Sequence, residues 1–212
     1  MALGKGFFLR AVLVALFPLF ITLLLVRLAF TEAFVGFLYR KVDLPPDPMP
    51  YELRLSIAKM GLRSVLSDEG MEEFRSSGLF NQREIRHMED VKRLLSFFFN
   101  FLYLGLPLWL VGFFAIRSKK EMGKVLFFGS LLLEAFIILV IILSAISYEW
   151  LFEAFHNLFF DPYSWRFRDE DMLLRVYPMD FWFKATLYTA FGVFCLNILL
   201  QVTGFILWRK SS

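Results

Sequence analysis

Two side chains in this 212-residue chain suit proton transfer near neutral pH: His87 and His156, its only histidines. His87 lies in Arg86-His87-Met88-Glu89-Asp90-Val91-Lys92. His156 lies in Phe155-His156-Asn157-Leu158-Phe159-Phe160-Asp161-Pro162-Tyr163-Ser164-Trp165. A free imidazole titrates near 6.5, so a pair held together can take a proton from one reacting atom and return it to another. The expected work is acid–base chemistry on a lipid-borne substrate. Cys195 is the single cysteine, which excludes an intrachain disulfide and a cysteine-based metal set. It falls inside an apolar run and is expected to be a buried packing residue. Ser144 and Ser164 have no nucleophile motif around them, so a covalent acyl-enzyme is the weaker variant. Neither a P-loop nor a dinucleotide fingerprint is present, and no cofactor is expected. No basic patch interleaves with aromatics, which speaks against nucleic acid as a partner.

The elements that must bring these imidazoles together are membrane helices. The chain is 58% hydrophobic with 28 Phe, and its mean hydropathy is +0.59. Soluble domains run about 45–50% apolar, so this composition calls for an apolar solvent. A span takes about 20 apolar residues, and four runs qualify: 11–30, 94–116, 125–147 and 183–208. Lys5 and Arg10 precede the first run as in a secretory signal. The run exceeds a signal's apolar region and lacks an Ala-x-Ala exit, so it reads as an uncleaved span.

Short flanks set orientation through their Lys and Arg. The connection Arg117-Ser118-Lys119-Lys120-Glu121-Met122-Gly123-Lys124 is short and basic, Lys5 and Arg10 flank the first run, and Arg209 and Lys210 follow the last. With four spans these regions share one side, expected to be cytoplasmic. The expected fold is therefore an all-α integral membrane protein with both termini cytoplasmic. It forms one membrane domain over 1–212, with a small extracytoplasmic cap made of the outer segments 31–93 and 148–182. Both histidines then lie outside.

In the first span Pro18 sits near mid-run, where a neighbour must satisfy the freed carbonyl, and Arg27 near the outer end is expected to snorkel. Four prolines among residues 45–50 exclude a helix there. From Tyr51 to Leu66 apolar residues recur at helical spacing (Leu55, Ala58, Leu62, Val65), with Arg54, Lys59 and Arg63 between them. This predicts an amphipathic helix ended by a turn at Asp68-Glu69-Gly70, with a further short helix around Met71–Arg75. Asn81 with Glu84 three residues on reads as a capping box, and Phe80 with Ile85 as a hydrophobic staple. The helix opened at Gln82 has no breaker before Pro107, so it should run into the second span. His87 is then about seven residues before Leu94, or roughly 10 Å above the hydrocarbon. Asp90, at i+3, is a candidate to orient it. His156 follows Ser147 by about nine residues, a similar height of roughly 13 Å. Trp150, Phe155, Phe159, Phe160, Tyr163 and Trp165 are candidate walls of an aromatic pocket, with Asp161 at a turn beside them. Asp169-Glu170-Asp171 reads as a solvated acidic rim. Glu134 in the third span is expected to hydrogen-bond near Asn197 and Gln201 of the fourth.

Two stretches carry a family resemblance. Glu84-Ile85-Arg86-His87-Met88-Glu89-Asp90-Val91-Lys92 resembles a motif of the lipoprotein intramolecular transacylases of Gram-positive bacteria. So does Phe155-His156-x-x-Phe159-Phe160, followed by Trp165, Asp171 and Pro178-x-x-Phe181-Trp182. The resemblance implies four transmembrane helices under an extracellular cap, with a catalytic histidine pair at His87 and His156. It implies transfer of the sn-2 acyl chain of a diacylglyceryl-cysteine lipoprotein onto the cysteine's α-amine, giving the lyso form. The substrate would be a diacylated lipoprotein in the plasma membrane of a bacterium, handled by a monomer among membrane lipids on the extracytoplasmic side.

Two rivals stay open on sequence. One is a metal-dependent membrane hydrolase, with His87, His156 and Asp90 or Asp161 as ligands. The other is a non-enzymatic membrane subunit that binds a partner through its cap.

Overall fold

The computed structural model describes residues 2–161 and 163–210. Pro162 of the expected turn lies outside the described residues, as do the side chains of residues 2–5, Lys5 among them. Among the described residues every regular element is helical: α1 (Ala2–Ala29), α2 (Glu32–Tyr39), α3 (Tyr51–Leu66), α4 (Asp68–Ser76), α5 (Gln82–Phe114), α6 (Lys119–Phe159), α7 (Met172–Val176) and α8 (Met179–Lys210). Four of them, α1, α5, α6 and α8, are long and apolar enough to cross a membrane. Pro107 stays within α5, and Pro18 stays within α1. Near the carbonyl that Pro18 frees, Trp109 Nε1 donates to the Leu13 carbonyl at 2.9 Å.

The chain divides into two compact units: Met1–Arg27, Phe99–Leu143 and Thr189–Ser212 form one; Leu28–Phe98 and Ser144–Tyr188 form the other. In the first, Leu13, Phe17, Phe113, Val125, Leu133 and Val193 are buried together. Its helices α6 and α8 approach through glycines. A Cβ on Gly123 would lie 2.6 Å from the Gly204 carbonyl oxygen, and one on Gly204 2.9 Å from that of Gly123, so side chains at either position would force these backbones apart. Gln201 Nε2 donates to Glu134 Oε2 at 3.1 Å, as the shared level of these two residues predicts, whereas Asn197 Nδ2 donates to the Ser130 carbonyl at 3.2 Å. Arg27 Nε donates to the Tyr103 hydroxyl at 2.6 Å. Cys195 departs from expectation: it is exposed, because α8 turns one face outward and this residue lies on it.

The second unit has its own apolar core, in which Leu38, Ile57, Ala58, Leu62, Val65, Phe74, Val176 and Phe181 are buried. Each large side chain so buried contributes about 1.5–3 kcal/mol. Thr31 caps α2, its hydroxyl accepting from the Phe34 N–H at 3.3 Å. The amphipathic α3 matches its predicted bounds but differs in two respects. No turn at Asp68–Gly70 ends it; Ser67 does, and its hydroxyl accepts the Gly70 N–H at 2.9 Å, starting α4 at once. Arg54 does not lie on a solvated face. It is buried, donating from Nε to the Arg175 carbonyl at 2.6 Å and from one terminal nitrogen to the Pro45 carbonyl at 2.8 Å. A buried guanidinium that donates to two carbonyls organises irregular backbone that no helix ladder satisfies. Arg175 in turn grips Asp47 through two bonds of 2.8 Å, which hold the Asp47 carboxyl well below the usual range. The proline-rich stretch is thereby fastened to α7.

Helix α6 is not continuous. At Ser147 the backbone is extended (φ −164°, ψ 109°), and the Ser147 hydroxyl accepts the Trp150 N–H at 3.1 Å. That is the geometry of an N-cap. A new helical segment, 148–159, begins there and carries His156.

Candidate active site

The capping box predicted at Asn81 forms in full. Asn81 Oδ1 accepts the N–H groups of Arg83 and Glu84 at 3.0 and 3.1 Å, and Glu84 Oε2 accepts the Asn81 N–H at 2.7 Å. Glu84 does more than cap. Its side chain is 1% exposed, and Oε1 accepts the N–H of Leu173, the second residue of α7, at 2.7 Å. Burial pushes this carboxyl up, and the two backbone N–H groups pull against it. Asp171, far from being a solvated acidic residue, accepts from Asn81 Nδ2, from Arg83 and from its own loop at Arg168 N, each at 2.7–2.8 Å. Together they clamp the start of α5 to the start of α7. His87 stands three residues beyond Glu84, on the same face.

His87 is 7% exposed, in the charged turns that precede the apolar run beginning at Leu94. Its ring centroid lies 5.0 Å from Phe160, 5.4 Å from Phe167 and 6.0 Å from His156, with the two imidazoles tilted by only 28°. His156 is enclosed by Phe152 at 4.0 Å, Trp165 at 4.8 Å and Phe155 at 5.5 Å. Two imidazoles separated by 69 positions in sequence thus stack inside an aromatic ring cluster of the second unit.

The surroundings set their protonation. Burial, and then the neighbouring His156, lower His87 to about 4; burial lowers His156 too, partly offset by its bond to backbone. Both rings are neutral at pH 7. His156 Nδ1 lies 2.8 Å from the Phe152 carbonyl. A carbonyl accepts only, so Nδ1 carries the proton and the lone pair sits on Nε2. His156 can therefore act as a base through Nε2. His87 Nδ1 is buried without a hydrogen-bond partner among the described residues.

Other expectations fare unevenly. Phe155, Phe160 and Trp165 touch the pair, and Phe159 joins from behind through Phe155 at 5.0 Å and Phe98 at 6.1 Å. Trp150, 58% exposed, and Tyr163, 88% exposed, stand outside the ring cluster. Asp90 does not orient His87: it pairs with Arg93, three residues along, because the i+3 neighbour is a stronger partner than an inward-facing neutral ring. Asp161 shapes backbone, its Oδ1 accepting the Tyr163 N–H at 2.8 Å. Sequence reasoning missed Phe152 and Phe167. Phe152 is visible as the i−4 neighbour of His156, whereas nothing marks Phe167. A groove of about 640 Å³ elsewhere in the unit is lined by Asp68, Arg75, Glu89 and Lys92 rather than by either histidine, and its charges pair with one another. Among the described residues no three His, Cys, Asp or Glu side chains stand close enough to hold a metal ion.

Comparison with known proteins decides the family. The family model of the lipoprotein intramolecular transacylase Lit matches residues 11–182. The chain belongs to that family. As a transacylase it is an acyltransferase, and the hydrolase and non-enzymatic readings lose their support. An uncharacterised protein of Aquifex aeolicus is 44% identical over 207 residues, covering 94% of each chain. The fold of this transacylase is also similar to the solved structure of the membrane-integral transacylase Lit of Bacillus cereus. That likeness has a TM-score of 0.73 at 20% identity and covers 98% of this chain and 97% of the other. A variant of that protein with a histidine replaced by alanine matches with a TM-score of 0.66 at 18% identity, covering 98% and 95%.

Proposed function

We propose that His87 and His156 are the acid–base pair of this transacylase, acting on a diacylated lipoprotein at the extracytoplasmic surface of a bacterial plasma membrane. The transfer moves the sn-2 acyl chain of an S-diacylglyceryl-cysteine to that cysteine's α-amine, leaving the N-acyl, S-monoacylglyceryl form. Nitrogen attacks the ester carbonyl carbon, the C–N bond forms, the C–O bond to glycerol breaks, and one proton passes from nitrogen to the glyceryl oxygen. Ester to amide is downhill, so the reaction needs no nucleotide.

The observation that carries this reading is the stacked pair of neutral imidazoles, 6.0 Å between centroids, in an aromatic enclosure. A neutral imidazole is a suitable base for an amine of pKa near 8, and each positioned proton transfer contributes about 10²–10⁴-fold. The Nε2 lone pair of His156 favours that residue as the base. His87, whose Nδ1 has no hydrogen-bond partner among the described residues, is the partner that protonates the departing oxygen. Because both reacting groups belong to one substrate, holding them in contact supplies further acceleration. The aromatic wall limits competing hydrolysis. The protein works as a monomer with cytoplasmic termini, and the short basic connection 117–124 supports that orientation.

The test is to incubate purified protein in detergent with a synthetic diacylated lipopeptide and to locate the acyl chain by fragmentation mass spectrometry. Wild type should give the N-acyl lyso product. His87→Ala and His156→Ala should each slow it by at least about 100-fold while remaining folded. Undiminished turnover in both variants would remove the histidines from the mechanism.

A further inference from the structure

Resting on that reading of the histidine pair, we infer that Trp165 is a catalytic residue, its indole N–H donating to the carbonyl oxygen of the migrating acyl group as negative charge develops there.

The acyl shift passes through a tetrahedral centre. When the amine nitrogen attacks, the carbonyl π pair moves to oxygen; when the C–O bond to glycerol breaks, it returns. The two imidazoles manage the proton travelling from nitrogen to glyceryl oxygen, and neither is left to hold the oxyanion. A donor beside the pair is required, and an apolar enclosure raises its worth.

Trp165 fits on four counts. It is 8% exposed, yet Nε1 is fully buried without a hydrogen-bond partner among the described residues. Burying an amide-like N–H unpaired costs about 1–3 kcal/mol, so a donor left this way calls for an explanation. Its ring lies 4.8 Å from His156, the proposed base. The residue is set rigidly: the Asp161 carbonyl accepts both the Ser164 N–H at 2.9 Å and the Ser164 hydroxyl at 2.8 Å, Phe152 meets the indole edge-on at 6.2 Å, and the Arg166 guanidinium lies 5.4 Å from its centroid. Finally, an indole N–H only donates and does not titrate near neutral pH. His87 Nδ1 and Arg83 Nε are also buried without a partner among the described residues. A neutral His87 has one proton, which the mechanism already uses, and the Arg83 guanidinium lies over Phe167 with its terminal nitrogen donating to Asp171. A fixed donor that cannot surrender its proton completes the division of labour.

Trp165→Phe keeps a flat apolar ring and deletes the N–H. It should lower kcat on the diacylated lipopeptide by about 10²–10³-fold, change KM by less than a few-fold, and leave thermal unfolding in detergent near wild type. A kcat within about threefold of wild type overturns the assignment. If His156→Ala is inactive in the same assay, the histidine reading survives that result. A second measurement uses the intact protein labelled with ¹⁵N-tryptophan. The probe is a lipopeptide analogue in which a phosphonate replaces the migrating ester carbonyl. The indole resonance missing from Trp165→Phe should move downfield when the phosphonate binds, and a resonance unmoved at saturation overturns the assignment.

Discussion

Glu84 Oε1 accepts the backbone N–H of Leu173 at 2.7 Å, tying the first turn of α5 to α7 across 89 positions of sequence. A carboxylate that usually closes a capping box on the surface is here sealed within the unit and serves two helices. His87 inherits its place from that bond.

Glu84→Ala should therefore cost more than an ordinary cap. The buried Leu173 N–H loses its acceptor, at about 1–3 kcal/mol, and the part-buried Asn81 N–H loses its cap as well, so thermal unfolding in detergent should drop markedly and acyl transfer with it. Glu84→Gln keeps one acceptor oxygen and should lose less on both counts. Equal behaviour of the two variants would contradict the bridging role.

Phe160 packs against both imidazoles, at 5.0 and 5.6 Å, whereas Tyr163 three residues later projects outward. Phe160→Ala should destabilise the protein by about 3–5 kcal/mol and reduce turnover. Tyr163→Ala should stay within about 0.5 kcal/mol of wild type and keep full activity. Chemical unfolding followed by tryptophan fluorescence, with product mass spectrometry alongside, distinguishes them.

Acid should weaken the second unit through His87. An unfolded histidine titrates near 6.5, and the folded one is lowered to about 4. Between those values the unfolded chain binds a proton that the folded one refuses, so the stabilisation is complete above pH 6.5 and is lost as pH falls towards 4. His87→Phe, which fills the same aromatic niche without a titrating group, should lose less stability than wild type between pH 7 and pH 4.5. Parallel melting curves across that window would count against a buried neutral His87.

In the first unit, Gly204→Val places side-chain atoms where the Gly123 carbonyl and the Phe127 N–H already stand within 3 Å of a Cβ. Helices α6 and α8 must then separate. The melting temperature should fall sharply, while Phe191→Val, on an exposed position of α8, should leave it nearly unchanged.

Sequence made the helices legible because hydropathy and caps are local signals. The Asn81–Glu84 box and the amphipathic α3 follow from residues within a few positions of one another, whereas Asp68-Glu69-Gly70 reads as a turn although Ser67 caps a helix there. Pairing across the chain is a different matter. Nothing local tells that Arg54 turns inward, since its partners are carbonyls of Pro45 and Arg175 on distant irregular backbone. Asp90 was drawn to His87 by spacing alone, and Arg93 sits at the same spacing on the other side. The motif around Glu84 and Asp171 was readable as a pattern. Its physical meaning, a clamp between two helix starts, depends on the fold.

The extended residue at Ser147 has a bearing on how this chain can vary. In an unbroken helix each inserted residue swings everything downstream by about 100°. A restart with its own cap gives the segment 148–159 a first turn of its own, so within the second unit the register of His156 is counted from Ser147.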